Sequence, residues 1–459
     1  MTGLDPQEMA RAMGATIAFR GGGGEPGRAE IDSRDVNGGE LFFGLAGERD
    51  DGGAFAANAI EAGAWGVVVT PDRAGRLGAE DGPAWVFGAV DPLAALQRLA
   101  GFWRRQLEAT VIGITGSVGK TSVKDMTRAM LPGRVHASEQ NLNTEIGLPL
   151  TVLAAPVDTE YLVLEMAMRG PGQIAELAAI AEPDVGVITN VGPVHVELLG
   201  SVEAVAAAKA ELIEGLGAGG TVVAPAEAGP LEPHLASLPN VVRYGDGGDV
   251  TVLQSEVDEA GTTATVLTPD GSQEFSFPFF EAHNLANAQA SIAAGLAAGA
   301  TVRQLAERAG DISFSSLRGE RIDLGSRGLV INDCYNANPI SMRAALEHLA
   351  GLDGRRIAVL GTMAELGPDQ DRFHTEIGDL ARELGIDTVV GVGPVAGGYR
   401  PDHWVADTTE AAQVVEPLLG PDAKVLVKGS RSAGLEDVSE RLAGQKPGAP
   451  ATSGRDTVV

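Results

Sequence analysis

The chain has 459 residues and a formal net charge of −28, and 44% of its residues are apolar. This length allows two to four domains, and the negative charge excludes nucleic acids and anionic membranes as favoured partners, since both attract basic surfaces. Cys334 is the single cysteine, so an intrachain disulfide is excluded. The N-terminus has no signal-peptide pattern, and no apolar run reaches the ~20 residues that span a bilayer, so we predict a cytoplasmic protein.

Residues 1–108 are predicted to form a small α/β domain. A strand is expected in "ELFFGLAG", and a helix followed by a strand in "AFAANAIEAGAWGVVVT". The stretch "DPLAALQRLAGFWRRQLE" has the spacing of an amphipathic helix. This helix is expected to lead into the next domain.

Residues 109–313 are predicted to form a second domain around a mostly parallel sheet. The short apolar runs "TVIGITG", "YLVLEM", "DVGVITNV" and "GTVVAP" alternate with helical segments, which is typical of strands covered on both faces. Alternating residues between 250 and 280 indicate a small antiparallel sheet. Helices are expected in "EAHNLANAQASIAAGLAAG" and "TVRQLAERAG".

Residues 314–445 alternate between strand and helix again, from "LVINDCY" to "KVLVKGS" and "LEDVSERLAG". Residues 446–459 carry little that could be buried and are expected to be a disordered tail. The predicted fold is therefore α/β with three domains. The central one is a P-loop ATPase-like, mostly parallel sheet, and the C-terminal one is Rossmann-like.

The stretch "VIGITGSVGKTSVKDMTRAML" places a glycine-rich turn between an apolar strand and a helix. Such a turn wraps backbone N–H groups around phosphate, a lysine reaches the outer phosphates, and a following hydroxyl holds Mg²⁺. The alternative is a chance glycine turn, and the loop alone does not distinguish a kinase, an ATPase switch and a ligase. The predicted ATP-binding residues are Thr115, Gly116, Ser117, Val118, Gly119, Lys120, Thr121 and Ser122.

Lys209 is one of only six lysines, and it lies in "SVEAVAAAKAELIEGL". On a helix, the three- and four-residue steps from Val202 through Val205 to Leu212 place it on an apolar stripe. Either its stem extends to water, or its amine has a role that arginine cannot fill.

The ordered motifs resemble the Mur ligases, and within them the MurF type. These motifs are "DSR", "TGSVGKTS", "NLNTEIGLPLTVL", "LEMAMRGPGQI", "NVGPVHVELLGS", "AKAEL", "HNLANA", "NDCYNANPISMRAAL", "VLGTMAELG" and "VKGSR". The resemblance implies an ATP-dependent ligase of peptidoglycan precursor synthesis. It would join D-alanyl-D-alanine to a UDP-N-acetylmuramoyl-tripeptide through an acyl phosphate, as a monomer.

The resemblance also implies a metal centre and a modified lysine. The carboxylate of Glu165, His195 and the hydroxyl of Thr121 would hold two Mg²⁺ ions together with Lys209. In the family this lysine carries a carbamate, formed when its neutral amine captures CO₂. His195 could instead be a packing histidine, because histidine is a poor ligand for Mg²⁺.

The remaining roles implied by the resemblance concern the nucleotide and the two other substrates. Asn284 would contact adenine, although an N-cap is its other interpretation, and Arg321 would reach the γ-phosphate, with Arg318 as the rival. Asp333 and Asn336 would contact the nucleotide. The implied substrate-binding residues are Ser33, Arg34, Asn141, Asn143, Thr144, Lys428, Ser430 and Arg431.

Two other functions are consistent with the phosphate loop. One is another amino-acid ligase of the same superfamily, of the folylpolyglutamate or cyanophycin type, but "DSR" and "YNANP" argue against it. The other is a switch that hydrolyses ATP slowly, which would leave Lys209 unexplained.

Overall fold

The structure is a computed structural model that describes residue 1 and residues 3–47, 50–77, 83–139, 141–193 and 196–444. The predicted tail therefore lies outside the described residues. Within these ranges, no helix combines the length and the apolar character that crossing a membrane requires. Four sheets are described, in chain order a five-stranded, a six-stranded, a three-stranded and a second six-stranded sheet.

The first sheet has the strand order β1-β5-β4-β3-β2, with β1 antiparallel and the other strands parallel. Its first helix begins at an Asp5 N-cap with proline at the next position, a combination that favours a helix start. The strands are β1 Thr16–Phe19, β2 Ala29–Glu30, β3 Leu41–Phe43, β4 Gly66–Val69 and β5 Trp85–Gly88, and the helices are α1 Pro6–Met13, α2 Ala56–Glu61 and α3 Pro71–Ala74.

Helix α4 (Pro92–Arg104) joins the first sheet to the second. The Asp91 carboxylate caps it by accepting from the backbone N–H groups of Leu93 and Ala94. Its Trp103 side chain is 1% exposed, and the indole Nε1 donates to the Ala155 carbonyl at 3.0 Å. The connecting helix predicted from "DPLAALQRLAGFWRRQLE" is thus confirmed.

The second sheet is parallel throughout, in the order β11-β10-β9-β6-β8-β7, with an apolar core on each face. Its strands are β6 Thr110–Thr115, β7 Val135–Ala137, β8 Tyr161–Glu165, β9 Val185–Ile188, β10 Thr221–Pro225 and β11 Val241–Tyr244. Its helices are α5 Lys120–Met130, α6 Gly147–Ala154, α7 Gln173–Ala181, α8 Val196–Leu199, α9 Val202–Glu214 and α10 Glu232–Leu235.

The predicted antiparallel sheet is also confirmed, as β12 (Thr251–Val257), β13 (Thr262–Thr268) and β14 (Gly271–Phe277). The rings of Phe275, Phe277 and Phe279 stack in sequence on its buried face. Helices α11 (His283–Ala297) and α12 (Val302–Arg308) follow, and α11 packs against α5.

The last sheet has the order β15-β16-β20-β17-β18-β19, with only the edge strand β15 antiparallel. Its strands are β15 Glu320–Asp323, β16 Leu329–Asn332, β17 Arg355–Leu360, β18 Thr388–Val392, β19 His403–Val405 and β20 Ala423–Lys428. Its helices are α13 Pro339–Ala350, α14 Gln370–Glu383, α15 Thr408–Val415 and α16 Glu436–Leu442. The three-domain α/β fold follows, while the exact domain bounds stay a prediction.

We expect the Trp103→Ala variant to lower the free energy of unfolding by about 3–5 kcal/mol, because it empties a large buried volume in α4. Trp404 is 62% exposed and serves as the matched control. Trp404→Ala should lower the free energy of unfolding by about 1 kcal/mol, because it removes the hydrogen bond from the indole Nε1 to the Gly393 carbonyl. Urea unfolding followed by circular dichroism compares the two. Equal losses would contradict the role of α4 as a buried connector.

Candidate active site

A cavity of about 1260 Å³ lies at the carboxyl edge of the second sheet. It is lined by residues of the first, second and last sheet units, including Arg34, Lys120 and Lys428. Open α/β sheets place ligands at this edge, beyond the carboxyl ends of their strands. The cavity is therefore the candidate active site.

The predicted phosphate loop connects β6 to α5 and requires glycine at two positions. Gly116 has φ +152°, and a Cβ there would lie 1.8 Å from Thr189 Oγ1. Gly119 has φ +84° and precedes the first residue of α5. The Asn190 side chain holds the loop by accepting from the Val118 N–H at 2.9 Å and donating to the Val118 carbonyl.

The first amides of α5 have no intrahelical acceptor, as at any helix start, and they face the same edge of the sheet. Lys120 lies over the loop, and its Nζ donates to the Gly116 carbonyl at 2.8 Å. Desolvation lowers the pKa of Lys120, while the nearby carboxylate of Glu165 opposes this shift. The arrangement offers an ammonium and several N–H donors to an anion.

Glu165 ends β8 and is 2% exposed. The Thr121 hydroxyl donates to its Oε2, and the Asn143 amide donates to its Oε1, both at 2.8 Å. Among the described residues, no group of three or more His, Cys, Asp or Glu could hold a metal by itself. A carboxylate and a hydroxyl completed by phosphate oxygens and water do suit Mg²⁺.

Lys209 is 2% exposed on α9, among the buried side chains of Val205 and Leu212, as the apolar stripe predicts. Its pKa lies well below the usual value because of desolvation first and the Lys120 ammonium second. In the described part of the chain its amine has no hydrogen-bond or ion-pair partner, and it does not line the cavity. The predicted metal ligand His195 lies outside the described residues.

Asn284 is buried at the start of α11, where its Nδ2 donates to Glu281 Oε2 at 3.2 Å. It lines the cavity, and so does His348 of α13, whose Nε2 lies 3.8 Å from Glu281 Oε1. Burial lowers the pKa of both His283 and His348, and Glu281 opposes the shift in each case. Glu281 and His348 carry no motif signal that the sequence alone could have revealed.

The last sheet brings Asp333 and Lys428 together, because β16 and β20 are parallel neighbours that end side by side. Lys428 Nζ contacts Asp333 Oδ2 at 2.6 Å and donates to the Asn336 carbonyl at 3.1 Å. All three residues line the cavity. The sequence predicts their common site, but not their direct pairing.

The two rival arginines point to different places. Arg318 lines the cavity, with its guanidinium 4.1 Å from the centre of the Tyr335 ring, and its charge lowers the pKa of Lys120. Arg321 stacks on Phe280 at 4.2 Å and is not among the described residues that line the cavity. The structure thus brings Arg318, rather than Arg321, to the phosphate loop.

The predicted substrate residues divide into two groups. Ser33, Arg34, Asn141, Asn143, Thr144 and Lys428 line the cavity. Arg34 Nε donates to Asp32 Oδ1 at 2.9 Å, and this arginine holds the pKa of Asp32 below its usual value.

Ser430 and Arg431 do not reach the cavity. Ser430 Oγ accepts from the Ala364 N–H at 2.9 Å, and Arg431 pairs with Glu436. Phe55, which the sequence did not single out, is 44% exposed in the wall of the cavity formed by the first unit. Exposed aromatic rings of this kind can stack on a base.

Known proteins resemble the chain over nearly its whole length. The Mur ligase middle domain matches residues 114–295, and the Mur ligase glutamate ligase domain matches residues 318–431. A UDP-N-acetylmuramoyl-tripeptide–D-alanyl-D-alanine ligase from Bacillus subtilis is 36% identical over 90% of this chain and 92% of its own.

Two solved structures agree with this likeness. MurF from Acinetobacter baumannii superposes with a TM-score of 0.86 at 28% identity, over 96% of this chain and 98% of its own. MurF ligase from Thermotoga maritima, solved in complex with ADP, gives a TM-score of 0.80 at 28% identity, over 91% of this chain and 97% of its own.

We expect Gly116→Ala to weaken ADP binding at least about tenfold, about 1.4 kcal/mol, because the added methyl collides with Thr189 and distorts the loop. Isothermal titration with ADP and Mg²⁺ measures the change. Gly23→Ala is the matched control, since a Cβ there meets nothing within 4 Å. Unchanged affinity in Gly116→Ala would remove this loop from the nucleotide site.

Proposed function

Because this chain belongs to the Mur ligase family, among the UDP-N-acetylmuramoyl-tripeptide–D-alanyl-D-alanine ligases, we propose that its cavity forms the amide bond between that tripeptide and D-alanyl-D-alanine. ATP is converted to ADP and phosphate in this reaction of peptidoglycan precursor synthesis. The observation that carries the proposal is that the phosphate loop and walls from the first and last sheet units line one cavity. A monomeric state and a cytoplasmic location stay predictions.

In the first step, an oxygen of the tripeptide's terminal carboxylate attacks the γ-phosphorus of ATP, and the bond from that phosphorus to the β-bridging oxygen breaks. The N-terminus of α5 and the Lys120 ammonium hold the phosphates while negative charge moves onto ADP. We place Arg318 opposite Lys120, as the second cation on the transferred phosphoryl group.

In the second step, the neutral amine of D-alanyl-D-alanine attacks the acyl phosphate carbon, and the tetrahedral adduct expels phosphate and releases one N–H proton to water to leave the amide. Activation is needed because a carboxylate oxygen is a poor leaving group. Lys428, held between Asp333 and Asn336, lies on the wall formed by the last sheet, and we propose that it meets this second substrate. The cavity shields the acyl phosphate from water.

The nucleotide sugar is proposed to occupy the opposite wall. Arg34 and Ser33 would pair with its diphosphate, with Phe55 available to stack on the base. Asn141 and Thr144 would contact the muramoyl peptide on its way to the phosphate loop. Since Ser430 and Arg431 do not line the cavity, we propose that they support the end of β20 rather than touch substrate.

Glu165 and Thr121 are the described residues that would hold Mg²⁺, which supplies charge neutralisation between the phosphates when bound. The Asn143 amide fixes the orientation of the Glu165 carboxylate toward the loop. The proposed contribution of His195 rests on the family resemblance alone.

We further propose that Lys209 carries a carbamate. Its lowered pKa exposes the neutral amine, whose lone pair forms the N–C bond with CO₂ while one proton is released to water. An ammonium at this buried site repels Lys120, whereas a carbamate anion attracts it. Carbamylation thus replaces a repulsive pair with an attractive one.

The proposed function is tested by measuring phosphate release from ATP with Mg²⁺, omitting UDP-N-acetylmuramoyl-tripeptide and D-alanyl-D-alanine in turn. We expect release to require both, and mass spectrometry to show the pentapeptide product. Phosphate release in the absence of D-alanyl-D-alanine would overturn this assignment and favour a different ligase or an ATPase switch.

For the carbamate, we expect Lys209→Ala to lower turnover at least about 100-fold and Lys209→Arg not to restore it, because a guanidinium cannot capture CO₂. Bicarbonate or a short carboxylate should partly rescue Lys209→Ala by supplying the missing anion. Carbon-13 NMR in labelled bicarbonate should show a carbamate resonance that Lys209→Arg lacks.

Lys424→Arg is the matched control, since Lys424 is a half-buried lysine of the last sheet, outside the cavity. It should keep both the carbamate resonance and the activity. Normal activity in Lys209→Arg, or equal rescue of Lys209→Ala by chloride, would contradict the carbamate.

A further inference from the structure

We propose that the Asp125 carboxylate on α5 is a positioning group that holds Ser315 and thereby directs Arg318 at the phosphate loop. The inference rests on the proposed function and adds to it a residue that no sequence motif assigns. It concerns the segment of chain that leads from the central unit into the last sheet.

Asp125 is 5% exposed, and both oxygens of its carboxylate have partners. Its Oδ2 accepts from the Ser315 backbone N–H at 2.8 Å and from the Ser315 hydroxyl at 2.9 Å. Its Oδ1 pairs with Lys124 Nζ at 2.8 Å, and the same Nζ donates to the Ser138 carbonyl at 3.0 Å. One side chain of α5 therefore fixes a residue 190 positions away along the chain.

The same polar network continues to the proposed metal site. The Ser138 hydroxyl accepts from the Glu165 N–H at 3.1 Å, and the Glu165 carboxylate accepts from Thr121. Thr121 lies in the first turn of α5, and Asp125 lies in its second turn. Helix α5 therefore begins at the proposed phosphate site and contacts the connecting segment one turn later.

Two residues separate Ser315 from Arg318, and the backbone around Arg318 is constrained. Leu317 has φ +65°, a left-handed conformation that is unfavourable for a leucine, and Gly319 has φ +70°. The Leu317 carbonyl accepts from the Tyr335 N–H at 3.2 Å, and the Tyr335 ring lies under the Arg318 guanidinium. Such a conformation persists only where several contacts enforce it, and Asp125 supplies two of them.

The Arg318 guanidinium has an unsatisfied hydrogen-bond donor among the described residues. Its Nε is buried and has no hydrogen-bond partner among the described residues, although buried donors are almost always satisfied. Arg318 also lines the cavity and acts electrostatically on Lys120. Held against the Tyr335 ring, the guanidinium thus adds positive charge to the cavity wall where the transferred phosphoryl group is proposed to bind.

A purely structural anchor would not need a buried ion pair. Removing Lys124 and Asp125 from water is costly, and an apolar contact of the same size commonly stabilises as well. The Asp125 carboxylate adds orientation. The N–H and the hydroxyl of Ser315 both donate to it, and these two bonds fix both the position and the orientation of the segment. This is the requirement of a catalytic cation, for which a shift of about 1 Å can cost 100-fold in rate.

The test compares steady-state ligase kinetics of Ser315→Ala, Ser315→Thr and the control Thr301→Ala. Thr301 also loses a side-chain hydrogen bond on substitution, but its capping box lies within one unit. We expect Ser315→Ala to lower kcat about tenfold with an unchanged KM for the nucleotide-sugar substrate, Ser315→Thr to retain most of the rate, and Thr301→Ala to leave it unchanged.

A double-mutant cycle with Arg318→Ala decides whether Ser315 acts through Arg318. The loss caused by Ser315→Ala should disappear in the Arg318→Ala background, because there is no guanidinium left to misplace. Equal losses in both backgrounds, or a loss that follows only the melting temperature, would overturn the positioning role. An inactive parent protein would overturn the proposed function and this inference with it, whereas an active parent with a fully active Ser315→Ala variant would overturn the inference alone.

Discussion

The site depends on the hydrogen bond between Thr121 and Glu165, because it joins the first turn of α5 to the end of β8. Around this contact the helix start supplies amides, Lys120 supplies a cation, and the carboxylate supplies the anion that a magnesium ion requires. The neighbouring loops keep the same geometry, since Asn190 holds the turn and Asn143 holds the carboxylate.

A protein with a net charge of −28 still has to hold several phosphates. Positive groups inside the cavity meet this need locally: Lys120, Arg318 and Lys428 each come from a separate segment of the chain and share the cavity with carboxylates such as Glu165 and Asp333. Each lies against aromatic, carbonyl or carboxylate groups that fix its position. Short-range geometry, rather than the overall field, therefore determines where the anions bind.

The sequence predicted the parallel sheets well, because buried strands such as Tyr161–Glu165 and Ala423–Lys428 are continuous apolar runs. It did not predict short edge strands such as Val135–Ala137, which carry too few residues to show a period. The phosphate loop and the burial of Lys209 followed from local pattern. The placement of Arg318 and the contact between Asp125 and Ser315 did not, since both join segments distant in sequence through single side chains.

Helix α4 is buried between the first and the central unit, and this packing couples the two units. Helix α4 packs against α1 of the first unit and against α6 and α7 of the central unit. These two units are therefore joined by a packed hydrophobic interface rather than by a flexible linker. The wall proposed to meet the nucleotide sugar and the loop proposed to meet ATP are therefore built on one shared hydrophobic core, so a change in the packing of either unit is transmitted to both binding surfaces.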